Sequence, residues 1–431
     1  MSDILLPRIP VTEVFPVVED GTLAAKATEN EPLPIRATVF REGHDAFAAE
    51  AVLLDPDGVE HMRAPMADIA PGLDRYEAWV KPDRPGTWSF RVDSWSDPYA
   101  TWRHDATIKV DAGVDVELML EEGALLMERA IDGNALNNPL QKPLDTKDAE
   151  VLRDAAAHLR DTSRSVQQRL SAGVSSHVRT VFRAHPVRDL LGSSREYPLA
   201  VARERALTGA WYEIFPRSAG AFQREDGSWV SGTLKQASYE LDRIAGMGFD
   251  VVYLTPIHPI GTTNRKGKNN TLVAYEGDPG SPYGIGSPDG GHDAIHPELG
   301  DFNDFDDFVE RALELGLEVA LDFALQCSPD HPWVTEHPEW FTTRADGSIA
   351  FAENPPKKYQ DIYPLNFDND YDGIYEAIRD VLEVWIEHGV TIFRVDNPHT
   401  KPVRFWQEII ADVHDTHPEI IFLAEAFTRP A

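Results

Sequence analysis

The spacing of apolar positions divides the chain into stretches of different period. From about Val11 to Val110 apolar and polar residues alternate, the period of half-buried strands. Ile35-Arg36-Ala37-Thr38-Val39, Tyr76-Glu77-Ala78-Trp79-Val80 and Trp88-Ser89-Phe90-Arg91-Val92 are the clearest, set apart by turn-forming Asp55-Pro56-Asp57-Gly58 and Pro82-Asp83-Arg84-Pro85-Gly86. These predict an N-terminal β-sandwich of the immunoglobulin-like kind over 1–111. Trp95, Tyr99 and Trp102 lie near its end. They either bind sugar or pack into a core or interface, and packing is the preferred reading. Over 112–203 the period becomes helical, with Val151, Leu152, Ala155, Ala156 and Leu159 on one stripe and Val178, Val181 and Phe182 on another. A helical bundle is expected there, with its charges on a solvated face and no metal or cofactor spacing.

From about Leu207, over the region 204–431, strands and amphipathic helices alternate, as in a parallel βα architecture. Strands are predicted at Trp211 to Phe215, Val251 to Thr255, Glu318 to Phe323, Thr391 to Asp396 and Ile420 to Glu425. Helices are predicted between them at Leu234 to Met247, Phe305 to Leu315, Tyr375 to His388 and Trp406 to His414. The strands are nearly all apolar, as a sheet covered on both faces requires. Such a series closes as a barrel or lies open as a doubly wound sheet, and the strand ends discriminate.

Composition narrows the function classes. A chain of 431 residues with 42% hydrophobic and 10% aromatic residues holds several domains and a sizeable core. The net charge of −32 disfavours nucleic acid and anionic membrane as partners. No basic start followed by a long apolar stretch, and no run of about 20 apolar residues, marks a leader or membrane span. The one cysteine, Cys327, excludes an internal disulfide and suits a reducing cytoplasm. With no activating neighbour in sequence, it reads as a buried structural thiol.

Three of the predicted strands end in an acid: Asp322, Asp396 and Glu425. In a βα barrel these ends converge on one mouth, which would gather carboxylates distant in sequence. Retaining glycosidases need such a pair, one carboxylate as nucleophile and one as acid/base. For any one acid alone, a turn residue or the partner of an arginine such as Arg394 is the preferred reading. Acids at equivalent ends favour a site.

The motifs carry a resemblance. Phe393-Arg394-Val395-Asp396 resembles the fourth-strand motif of the α-amylase superfamily, glycoside hydrolase family 13, and Ala424-Glu425 its fifth-strand motif. Tyr253-Leu254-Thr255-Pro256-Ile257-His258-Pro259 and Leu321-Asp322-Phe323 are similar to the second- and third-strand motifs. The resemblance implies a (β/α)8 barrel with Asp396 as nucleophile, Glu425 as general acid/base and Arg394 holding Asp396 ionised. Two departures narrow it. The third strand continues to Gln326-Cys327 where Asn-His is usual, and Asp396 is followed by Asn397-Pro398-His399-Thr400-Lys401-Pro402. Together with the N-terminal regions, this is similar to the maltosyltransferases that take α-maltose 1-phosphate as donor and extend an α-1,4-glucan.

A phosphorylated donor implies an anion site in an acidic protein. Asn264-Arg265-Lys266-Gly267-Lys268-Asn269-Asn270 and Asn354-Pro355-Pro356-Lys357-Lys358-Tyr359, the latter in a mouth insertion around 327–372, are the candidate segments. By resemblance, Lys266, Asn270, Gln326, Asn354, Lys357, Tyr359 and Asn397 contact donor sugar or phosphate; from the residues alone the lysines could equally be solvated loop charges. His258, His331 and His399 either meet a sugar hydroxyl or satisfy backbone groups. No phosphate loop or metal set is present, so no cofactor or metal is expected. The resemblance also implies a homodimer.

The last residues, Thr428-Arg429-Pro430-Ala431, follow the fifth predicted strand directly. A barrel needs three further strands, and the superfamily's third carboxylate lies beyond this point. The expectation is a truncated chain that alone is inactive and poorly behaved, with an exposed sheet edge. Besides maltosyl transfer, an amylase-type hydrolase using water as acceptor and a non-catalytic glucan-binding scaffold remain as readings.

Overall fold

The computed structural model describes residues 7–429, so Met1 to Leu6, where no targeting segment was expected, and Pro430 and Ala431 lie outside it. The chain divides after Glu204 into two compact units, where three domains were expected.

In the first unit, Val11–Phe15, Leu33–Val39, Arg75–Val80 and Ala67–Ala70 form one antiparallel sheet in that order. A second sheet runs Ala25–Thr28, Tyr197–Ala202, Gly86–Ser96, Phe47–Leu54, Glu60–Pro65, with Asp189–Ser193 also on Gly86–Ser96. Ile35, Val39 and Val80 from one sheet share a core with Leu53, Trp88, Phe90 and Leu199 from the other, because alternate residues of each strand face inward. Residues 98–111, expected to continue the strand alternation, are instead the helix Pro98–Asp111. Asp97 caps it, accepting from the Ala100 amide at 2.9 Å, and Pro98 fits its first turn. Val116–Ile131, Thr146–Arg160, Val166–Gly173 and Ser176–Ala184 follow, and the chain then returns to the sheet it left. The helices are therefore an excursion from the second sheet, and 189–202, expected in the bundle, are strands. Tyr99 and Trp102 are buried among these helices: Tyr99 stacks on Phe182 at 4.0 Å, and the Trp102 indole donates to the Met119 carbonyl at 2.7 Å. Trp95 is buried too, beneath the Arg188 guanidinium. All three pack; none offers a sugar platform.

The second unit is built on five parallel strands in chain order: Trp211–Ile214, Val251–Leu254, Glu318–Phe323, Ile392–Asp396 and Ile421–Glu425. The connections carry Phe302–Glu314, Tyr371–Glu387 and Val403–Thr416. The single helix expected over 234–247 is two, Leu234–Ser238 and Leu241–Gly246. Between them the Tyr239 and Glu240 amides bond three residues back instead of four, a tightened turn. Leu234, Ala237, Leu241 and Ile244 nevertheless keep one buried face. Strand alternation sorts the sheet's two faces: Val252, Leu254, Val319, Leu321, Phe393 and Val395 pack under the helices, while Val251, Tyr253, Ala320 and Ile392 form a separate small cluster on the other face. Among the described residues no helix is long and apolar enough to cross a membrane.

Candidate active site

The face that carries Tyr253, Ala320 and Ile392 also carries Asp322, Arg394, Asp396 and Glu425, since each lies an even number of residues along its strand. Register brings them level. Asp322 pairs with Arg394 and Asp396 with Glu425, on neighbouring parallel strands. The acids that end the third, fourth and fifth strands thus meet at one end of the sheet.

Arg394 binds all three. Its Nη1 donates to Asp322 Oδ2 at 2.9 Å and Asp396 Oδ1 at 3.1 Å, and its Nη2 lies 2.8 Å from Glu425 Oε2. Asp322 is fully buried, and its Oδ2 also accepts from the Tyr253 hydroxyl and, at 2.9 Å, from Tyr283. Its Oδ1 has no partner. Burial pushes Asp322 up to about 6 despite the pull of Tyr253, Arg394 and Tyr283. Glu425 is raised by burial and by its hydrogen-bonded neighbour Asp396, against the Arg394 charge. On Asp396, the second oxygen accepts from Asn397 Nδ2 at 3.1 Å. Asn397 is held at φ 43°, a left-handed conformation asparagine tolerates well. The two carboxyl groups that stand in register therefore differ in setting: Asp396 is fixed by donors at both oxygens, whereas Glu425 is biased toward holding a proton.

A cavity of about 760 Å³ opens over Asp396, and Lys266, Asn270, Gln326, Asn354, Tyr359 and Asn397 line it. Six of the seven residues expected to meet the donor thus converge on one space. Lys357 does not line it. It stands exposed on the hairpin Ala352–Asn354/Lys357–Tyr359, its ammonium 4.9 Å from the centre of the Tyr359 ring. Arg394 and Glu425 join the cavity through Asp396 instead of lining it.

The histidines separate into two groups. His399 lines the cavity, and its Nδ1 accepts from the Phe427 amide at 3.3 Å. His258 and His331 are buried in backbone contacts: His258 Nδ1 donates to the Ala294 carbonyl at 3.0 Å, and His331 Nδ1 accepts from the Trp333 amide at 3.1 Å. His331 Nε2 then faces His292 Nδ1 at 3.1 Å, and His292 Nε2 reaches the Ala324 carbonyl at 2.9 Å. Because a carbonyl accepts and an amide donates, both rings must carry their proton on Nε2. Cys327 lies close enough to complete a metal-ligand group. Both rings, however, already spend both nitrogens on hydrogen bonds, and burial pushes the thiol well above its usual range. The donor set does not fit an ion.

Tyr253, Tyr283, Asp361 and Lys401 were not expected as site residues. Tyr253 was legible, since alternation places it on the face of Asp322. Tyr283 and Asp361 lie in irregular segments with no period. Lys401, in the run after Asp396, lines the cavity, and burial brings its ammonium down to about 8 against the opposing Asp396 charge.

Residues 7–203 match the family model described as alpha-1,4-glucan:maltose-1-phosphate maltosyltransferase, domain N/S. The protein of that name from Arcanobacterium haemolyticum is 58% identical over 99% of this chain and 61% of its own length. Maltosyltransferase 2 from Streptomyces coelicolor is 57% identical over 98% of this chain and 61% of its own length. For the Mycolicibacterium smegmatis protein the figures are 47%, 98% and 63%. The chain thus spans about three fifths of the length of these relatives. Over the length it spans, the chain is similar to alpha-1,4-glucan:maltose-1-phosphate maltosyltransferases, and its residues 7–203 to their domain N/S.

Proposed function

We propose that this protein moves a maltosyl unit from α-maltose 1-phosphate to the non-reducing 4-hydroxyl of an α-1,4-glucan, with release of phosphate, by a retaining mechanism of the α-amylase superfamily. Asp396 attacks the anomeric carbon and phosphate leaves with Glu425 assisting, taking up the proton Glu425 holds; the glucan hydroxyl then displaces Asp396, giving up its proton to the Glu425 carboxylate. Two inversions preserve the α configuration. The observation that carries this reading is the placement of Asp396 and Glu425 in register on adjacent strands under one guanidinium. Retaining pairs stand about 5 Å apart, close to the spacing of neighbouring strands. Arg394 and Asn397 fix the two oxygens of Asp396, and the raised Glu425 suits proton traffic.

The donor site we propose comprises Lys266, Asn270, Gln326, Asn354, Tyr359 and Asn397 in the cavity, with Lys357 meeting the phosphate if its hairpin turns inward. The five parallel strands are, on this reading, the first five of a (β/α)8 barrel, and the two N-terminal sheets an immunoglobulin-like sandwich. We place the protein in the cytoplasm as a homodimer working in α-glucan biosynthesis. Light scattering tests the dimer. The deciding assay, run on the complete protein, follows phosphate release from maltose 1-phosphate with and without glucan. Glucan-dependent release lost in Asp396→Ala supports transfer; equal release without glucan would make water the acceptor, and unaltered turnover in the variant would remove Asp396 from the chemistry.

A further inference from the structure

We infer that Lys401 is a further cation that receives the anionic group of the phosphorylated sugar donor in this cavity, an inference that rests on the donor class proposed above. Lys401 lines the space that Asp396 lines. It is half-buried, and among the described residues no carboxylate lies within 4.0 Å of its ammonium. Its one hydrogen bond is a long one, 3.4 Å to the Asn397 carbonyl. That carbonyl already accepts from the Thr400 amide at 3.2 Å and the Thr400 hydroxyl at 2.8 Å, so it has little need of a third donor. A withdrawn ammonium without an ion pair is costly. In a chain with 72 acidic residues against 40 basic ones, a carboxylate partner would be easily supplied. The nearest acid that opposes its burial is Asp396, whose charge the proposed reaction consumes. What the position still lacks is an anion arriving with the ligand.

The charge of Lys401 is present below about pH 8 and lost above it, so anion affinity should fall as pH rises through that value. Other groups face the same space. Asp396 and His399 come from its own strand and loop, Lys266 from the loop after the second strand, and Glu353 and Asp361 from the excursion after the third. Tyr283 and Tyr359 also line it, with Tyr283 pushed above its ordinary range, chiefly by burial and by Asp322. His292 feels the Lys401 charge from its buried position. All of these persist in Lys401→Arg, which changes the head group's shape but keeps its positive charge through the alkaline range.

The test is calorimetric titration with inorganic phosphate from roughly pH 6.5 to 9.5, on the parent, Lys401→Met and Lys401→Arg. Expected are saturable binding by the parent that weakens above about pH 8, at least ~10-fold weaker binding by Lys401→Met, and retained binding by Lys401→Arg with the alkaline fall displaced upward. A residue that merely props the Asn397 loop would leave that fall in place. No saturable binding by the parent, equal affinity in Lys401→Met, or an unmoved alkaline fall in Lys401→Arg would each overturn the inference. If Lys401→Met does not fold, the arginine profile decides. Failure of glucan-dependent phosphate release in the complete protein would remove the donor reading while the phosphate titrations stood; intact release with an unmoved arginine profile would remove Lys401 alone.

Discussion

Asp396 and Glu425 stand level with one another on adjacent parallel strands, and the guanidinium of Arg394 touches both. The same guanidinium also holds the buried Asp322. One cation thus offsets three carboxylates at the end of the sheet, and the site's energetics depend on it.

Replacing Arg394 by Leu should therefore destabilise the protein at neutral pH by about 3–5 kcal/mol, the usual cost of stripping a buried charge of its partner. Without the guanidinium Asp322 and Glu425 titrate higher than they do now, Asp322 above about 6. The native state of the variant then binds more protons than the unfolded state as pH falls, so the deficit shrinks under acidic conditions. Urea unfolding at neutral pH and near pH 5 checks this; a deficit that stays constant between the two refutes it.

Glu425→Gln should separate the two halves of the proposed reaction. Phosphate leaves with little help from an acid, while the glucan hydroxyl needs a base, so turnover should fall by roughly 10²–10⁴. Mass spectrometry of the variant incubated with donor should find one maltosyl unit on the peptide holding Asp396. Finding the adduct elsewhere, or undiminished turnover, would reassign the two acids.

Tyr253→Phe removes a buried hydroxyl that donates to Asp322. A hydrogen bond to a charged group contributes about 1.5–3 kcal/mol, and its loss should also move Asp322 above about 6. Denaturation and carboxyl-resolved NMR titration measure the two effects, and an unshifted Asp322 would show that Tyr283 alone suffices.

The paired rings of His292 and His331 should both be neutral and protonated on Nε2, which nitrogen NMR reads directly; an Nδ1-protonated ring would break the proton order deduced here. Burial lowers them to about 4 and about 2, below the ordinary histidine value. The unfolded chain therefore takes up protons first, so their contribution is full above about pH 6.5 and drains away as pH falls toward 4. Added Zn²⁺ should leave the melting temperature unchanged, because coordination would have to displace existing hydrogen bonds.

Legibility in the sequence followed the range of the interactions. The short apolar runs Val251–Leu254, Glu318–Phe323 and Ile392–Asp396 and the helices between them are local features, and they announced both the parallel sheet and the acids at the strand ends. The return of 189–202 to the first unit's sheet was not legible, because a strand's pairing partners leave no mark on its own period. The split at Tyr239 and Glu240 turned on a local change of hydrogen bonding that the apolar stripe does not register.

What the sequence determined by itself is which residues could share a face: Asp322, Arg394, Asp396 and Glu425 follow from a two-residue period on strands that neighbour one another in chain order. Only the tertiary structure decided which partners those residues acquired. Tyr283 reaching Asp322, the histidine pair shutting out an ion, and Lys401 lining the cavity without a carboxylate partner all depend on irregular segments folding over the strand ends, where contact is set by packing between distant residues and no periodicity foretells it.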